Sequence, residues 1–329
     1  MNARIPRLLA ILLTALYGSL DAPAQGSLTP SGPPEPTMRS LDQIEPRTPI
    51  TSLPFVISRS GAYALVGNLS SAVSAGITIA APDVSLDLNG FTLSGSPAHP
   101  GNAVSIVAPA KNVRISNGTI ADWGSSGIHA HGIAGTALSD LHVARCAGSG
   151  IVAGSATLRR VASTDHGGTG IQVGNGMGFG KAVFQDFSFV NATRNGGGGI
   201  TYVGPCDASL ADSTACDNTG TGVAMAPGAA GLSPRLRITR CLLDDNTGDA
   251  LSLPGVTDAC YSLKVEHSSI SRNGGRGLAV VNTAATKRGE VWLVTVTCDE
   301  NVVGGLSVAG ACDTTVMDST VARNGGHGV

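Results

Sequence analysis

The feature that most constrains this chain is a phrase that returns eleven times: a small residue, any residue, usually glycine, then an aliphatic residue opening a short alternating run. The aliphatic marks are Ile77, Val104, Ile128, Ile151, Ile171, Ile200, Val223, Leu251, Leu278, Leu306 and Val329, at intervals of 20 to 29 residues. A unit this short cannot bury an apolar face alone, so such repeats stack into a solenoid in which each covers its neighbour. The units read as short alternating strands, as in Ser85-Leu86-Asp87-Leu88 and Leu236-Arg237-Ile238, with no helix-length pattern between them. The Leu-x-x-Leu-x-Leu framework of leucine-rich repeats is absent. These features predict an all-β chain, a single-stranded parallel β-helix of about eleven coils.

Composition agrees. Glycine supplies 45 of 329 residues, and only 13% of the chain is charged while 42% is apolar, which excludes a disordered polyampholyte. Glycine lacks a three-residue period, so collagen is excluded as well. A formal net charge of −2 gives no electrostatic reason to expect nucleic acid or an anionic membrane as partner.

Aligning the units on their marks exposes columns. Five residues before the mark stand Cys146, His166, Asn195, Asn218, Asn246, Asn273, Asn301 and Asn324; stacked asparagines predict an amide ladder along the inside of a turn. Six before the mark stand Arg145, Asp165, Arg194, Asp217, Asp245, Arg272, Glu300 and Arg323. Coils about 4.8 Å apart would set opposite charges side by side at every step but Asp217 to Asp245, which helps to fix register. The glycine before most marks, such as Gly127, Gly150 and Gly277, predicts a corner with positive φ.

The first residues read as an address. Arg4 and Arg7 precede an apolar run from Leu8 to Leu20, and Ala22-Pro23-Ala24 gives a small-residue cleavage site, so residues 1–24 are a signal peptide. Residues 25–54 read as a Pro-rich linker and a short cap, with Met38, Leu41 and Ile44 spaced for one capping helix ended by Pro46 and Pro49. The β-helix follows over 55–329. Its last residue is itself a mark, so the solenoid is expected to continue past it. Export predicts a secreted, periplasmic or cell-surface location, a mature chain without a transmembrane segment, and a monomer. Seven cysteines in such a chain predict at most one or two disulfides, because coil spacing separates most of them by more than a bridge can span.

The coils Asn273-Gly274-Gly275-Arg276-Gly277-Leu278 and Val84-Ser85-Leu86-Asp87-Leu88-Asn89-Gly90-Phe91 resemble those of exported bacterial right-handed parallel β-helix repeat proteins, as does the entry Leu53-Pro54-Phe55-Val56-Ile57-Ser58. Those proteins lie within the pectate-lyase-like superfamily. The resemblance implies a right-handed path, and it leaves activity open, since that superfamily holds lyases, hydrolases, esterases and adhesins. Lyases of this type hold calcium on several carboxylates beside an Arg or Lys base, and the glycosidases use paired carboxylates. The matching positions here are Asp244, Asp245 and Asp249, with Arg276 one coil after Asp249, as catalytic candidates. Asp217, Asp244 and Asp245 are the candidates for calcium, the one cofactor expected. Gly326-His327-Gly328 resembles the Gly-His-Gly of polygalacturonases and adds His327, although Asn246-Thr247-Gly248-Asp249 departs from their Asn-Thr-Asp by an inserted glycine.

Two functions follow. One is an exported β-helix with a structural, surface or carbohydrate-binding role, its partner a polysaccharide or cell-surface glycan. The alternative is a polysaccharide lyase or glycoside hydrolase acting on acidic polysaccharide.

Overall fold

A computed structural model describes residues 46–73, 75–174, 183–204, 206–226, 233–255, 261–283 and 287–328. The predicted leader and cap helix lie outside these residues, as do Cys260, Val329 and most of the glycine-rich segment Gly174–Gly180. The described chain contains strands and turns and no helix. It winds through about ten turns of a parallel β-solenoid. The first described strand, Thr48–Ile50, lies within the segment read as linker and cap, and it already pairs in parallel with Tyr63–Leu65.

Each described mark is the first or third residue of a three- to seven-residue strand in an eleven-stranded parallel sheet. The register joins Ile128 to Ile151, Ile171, Ile200, Val223, Leu251, Leu278 and Leu306 in turn. Opposite it lies a fourteen-stranded sheet built from longer runs such as Thr136–Ala144 and Ala156–Thr164. Alternation sends Leu138, Leu158, Phe187, Leu210, Ile238, Val265 and Leu293 inward, all almost fully buried. Each buried aliphatic or aromatic side chain contributes about 1.5–3 kcal/mol, so the interior file of such residues is the main source of stability.

The chain turns its corners on single residues. From Asn117 onward, a non-glycine residue with φ between 48° and 62° stands eleven and again six positions before each mark: Asp140 and Arg145, Phe189 and Arg194, Arg240 and Asp245 are examples. One left-handed residue redirects a strand without an inserted loop, at a cost of about 1–2 kcal/mol in the absence of a compensating environment. The glycine before the mark behaves differently from expectation. Gly127, Gly150 and Gly277 are not among the positive-φ glycines. Glycine is required at Gly150 for space, because a Cβ would collide with Ser163 Oγ and His166 Nε2 of the next coil.

The asparagine ladder forms. Nδ2 of Asn195 donates to Asn218 Oδ1 (2.9 Å), and the same bond repeats from Asn218 to Asn246, Asn246 to Asn273, Asn273 to Asn301 and Asn301 to Asn324. Each Oδ1 also accepts the backbone N–H of the preceding rung, as from Asn218 to Asn246 (3.1 Å). His166 and Cys146 continue the column. Asn195 Oδ1 accepts the His166 N–H (3.2 Å), and His166 Nδ1 accepts the Cys146 N–H (3.1 Å). Ser163 Oγ donates to the Gly170 carbonyl (2.7 Å) and lies 3.1 Å from His166 Nε2, so the imidazole carries its proton on Nε2 and is neutral. Burial pushes its pKa down to about 4.

Candidate functional site

The charged column at the second bend resolves into discrete pairs. Arg145 holds Asp122 through two bonds (2.8 and 2.9 Å), Arg194 holds Asp165 (2.7 and 2.9 Å), and Arg272 holds Asp245 (2.9 and 2.8 Å). Arg323 holds Glu300 at 3.1 Å and also reaches Asp299. The first bend repeats the device with Arg160 on Asp140 and Arg240 on Asp212. In every case arginine reaches back to the acid one coil earlier. The opposite-charge steps from Arg145 to Asp165, Arg194 to Asp217 and Arg272 to Glu300 therefore carry no direct ion pair among the described residues. Asp122 is a further member of the column.

The candidates read from the sequence fall into two groups. Asp244, Asp245 and Arg272 form one knot. Asp244 is buried, and its oxygens accept the Ser271 N–H (2.7 Å), the Ser269 hydroxyl (3.2 Å) and Arg272 (3.3 Å); burial raises its pKa. With both carboxylates already bonded to one guanidinium, this pair does not fit calcium, because the cation would face a fixed positive charge. Asp217 is exposed, one coil away, with no ion pair among the described residues. No group of three His, Cys, Asp or Glu able to hold a metal occurs among the described residues. Asp249 and Arg276 lie instead at the glycine-rich corner, where Asp249 Oδ1 accepts the Arg276 backbone N–H (2.7 Å), not the guanidinium. His327 is exposed on the last described coil. These residues do not converge.

Five of the cysteines are fillers. Cys146, Cys206, Cys216, Cys241 and Cys298 are buried free thiols, and burial pushes Cys206 up to about 12, far from a reactive thiolate at neutral pH. His129 and His131 stack with centroids 6.2 Å apart and stand alone.

A different set of residues does converge. The outer face of the fourteen-stranded sheet carries a cleft of about 680 Å³ spanning five coils. Strand alternation puts two rows of side chains in it. Phe184, Asp207, Arg235, Ser262 and Glu290 are register partners sixteen positions before their marks. Asp186, Ser209, Arg237, Lys264 and Trp292 form the second row, fourteen before. Phe184 and Trp292 are 75% and 42% exposed, so each end of the cleft offers a ring to solvent. Asp186 is bonded by Ser209 Oγ (2.7 Å) and Arg159 (3.3 Å). Lys264 meets Glu266 on its own strand (2.8 Å), and Arg235 approaches Asp207 only to 3.9 Å. Arg237 is exposed and makes no ion pair among the described residues. Three cations on two adjacent coils, one of them unpaired, make a positive stripe between two aromatic ends. The earlier candidates were four acids with Arg276 and His327, and none of them lines this stripe; reading the columns sixteen and fourteen before the marks would have found it.

Residues 154–289 match the family model described as a right handed beta helix region, a stretch that contains most of the cleft. Among solved structures the chain is similar to the A-module of mannuronan C-5 epimerase AlgE4 of Azotobacter vinelandii, at 13% identity over 83% of this chain and 85% of that one, with a TM-score of 0.41. It is also similar to pectate lyase Pel9A, at 14% identity over 82% and 70%, with a TM-score of 0.29. No curated protein matches the sequence. Parallel coils in unbroken register, with the family match across their middle, give this chain the fold of a right-handed parallel β-helix.

Proposed function

We propose that this protein is an exported carbohydrate-binding β-helix whose outer cleft holds an acidic polysaccharide. The observation that carries the reading is Arg237, exposed and without a salt bridge among the described residues, though within electrostatic reach of Glu266, beside Lys264 and Arg235 on a rigid sheet, with Trp292 next in register after Lys264. Guanidinium and ammonium groups recognise carboxylates and sulfates by charge and hydrogen bonding. An exposed ring takes the apolar face of a sugar. Strands on either side lock the backbone, so binding has only side-chain freedom left to restrict.

Affinity electrophoresis in polygalacturonate and in a neutral glucan tests the reading. Retardation only by the acidic polymer, weakened by salt and by Arg237→Ala, is the expected result. Equal retardation by both polymers, or none by either, defeats it. The same mixtures, read for unsaturated or reducing ends, test the lyase or hydrolase alternative.

A further inference from the structure

The positive stripe is short, and both of its ends are guarded by acids. Arg235 and Arg237 lie on one coil and Lys264 on the next. One coil before them Asp207 is the register partner of Arg235, and one coil after them Glu290 is the register partner of Ser262. At the spacing of sheet strands, the two carboxylates stand about 14 Å apart along the axis. Glu290 is exposed and has no ion pair among the described residues. Each acid also neighbours a ring: Phe184 is the register partner of Asp207, and Trp292 stands two residues after Glu290 on the same face of its strand. The cleft thus reads, along its length, ring with acid, cations, acid with ring.

Resting on the acidic-polysaccharide reading, we infer that the ligand carries isolated anionic groups separated by uncharged sugar units, and that a polymer charged at every unit is disfavoured. A chain lying along the cleft sets one anion against Arg235, Arg237 and Lys264. Its neighbours on either side then meet Phe184 beside Asp207 and Trp292 beside Glu290. An uncharged sugar suits both ends, because it stacks on the ring and donates its hydroxyl protons to the carboxylate. A second anion there meets a like charge at short range in a partly desolvated cleft, and the acids act as the repulsive element that sets specificity.

A single polymer backbone at three charge densities gives the test: polygalacturonate fully de-esterified, methyl-esterified at about half its units, and fully esterified. The half-esterified form is expected to bind about fivefold tighter than the fully de-esterified one at equal salt, the effect of roughly one like-charge contact. The double variant Asp207→Asn with Glu290→Gln is expected to tighten binding of the fully de-esterified form and erase the preference. This gain cannot come from a misfolded chain. If the fully de-esterified form binds as tightly as the half-esterified one and the double variant leaves the ratio unchanged, the spacing inference is overturned while acidic-glycan binding stands. If none of the three polymers binds, both fall together.

Discussion

Two regions of this solenoid use the same side chains to opposite ends. At the bends, each of the six arginines, from Arg145 to Arg323, is held by the acid one coil earlier. In the cleft the same residue types stand on flat strand, and Arg237 has no such partner among the described residues. The difference lies in the backbone. A left-handed residue at a bend aims a long side chain along the axis, back toward the preceding coil. A strand residue aims its side chain outward, perpendicular to the sheet. Arginine at a bend is therefore consumed by architecture, whereas Arg237 on the strand face is left for a ligand, although its neighbours Arg159, Lys264 and Arg235 have acids of their own. Composition cannot separate the two, but position in the coil does.

The largest expected effect lies inside the bend. Asn246→Ala removes a rung whose Nδ2 donates to Ala215 O, Asp244 O and Asn273 Oδ1, and leaves two donors of Asn218 unmet. A loss of about 3–5 kcal/mol in urea unfolding is expected, since several buried groups lose partners at once. A loss under 1 kcal/mol would mean that the ladder only decorates the coil.

His166 in the same ladder gives the next effect. Its folded pKa is depressed to about 4 against about 6.5 unfolded. Between those values the unfolded chain binds the extra proton, so this contribution is full above pH 6.5 and is lost as pH falls toward 4, by roughly 3 kcal/mol. Thermal melts of His166→Asn, which restores the common rung, should show a shallower decline over that window than the parent protein. Parallel declines would place the titration elsewhere.

Arg237→Ala with Lys264→Ala sharpens the comparison from the other side. Binding of the acidic polymer should fall at least tenfold, about 1.4 kcal/mol, while unfolding stability stays within about 0.5 kcal/mol. A large stability loss would assign the stripe to architecture after all. The smallest effect belongs to the bend surface. Arg194→Gln should cost no more than about 1 kcal/mol as an exposed pair, and Arg194→Asp more, since it sets four acids on successive coils. Equal melting temperatures for the two would remove any role of these pairs in register.

The coil register was legible in the sequence because a stacked repeat must place like residues at like positions; the marks and the asparagine column needed nothing else. The bends were not legible. Arg145, Phe189 and Thr295 are not residues that favour φ near 55°, and only the surrounding coils impose it. The role of Gly150 was misread for the same reason, since the close approach of Ser163 and His166 depends on the coil above. Nor was it legible that Asp244 and Asp245, adjacent in sequence, share one arginine from the next coil. Only register sets Trp292 beside Lys264 and two coils from Arg237.

From the Ile128 coil onward, the stretch from sixteen residues before a mark to two after it keeps one length, as the paired registers of successive coils require. All variation in coil length then falls at one corner, between the end of one mark strand and the start of the next long strand. Between Ala153 and Ser155 that corner is a single residue; elsewhere the sequence spends up to ten. The solenoid is thus divided into a fixed ruler and an interchangeable cassette. Length changes at that corner leave the stacking phase untouched, since the intervals run from 20 to 29 residues while the paired registers stay the same.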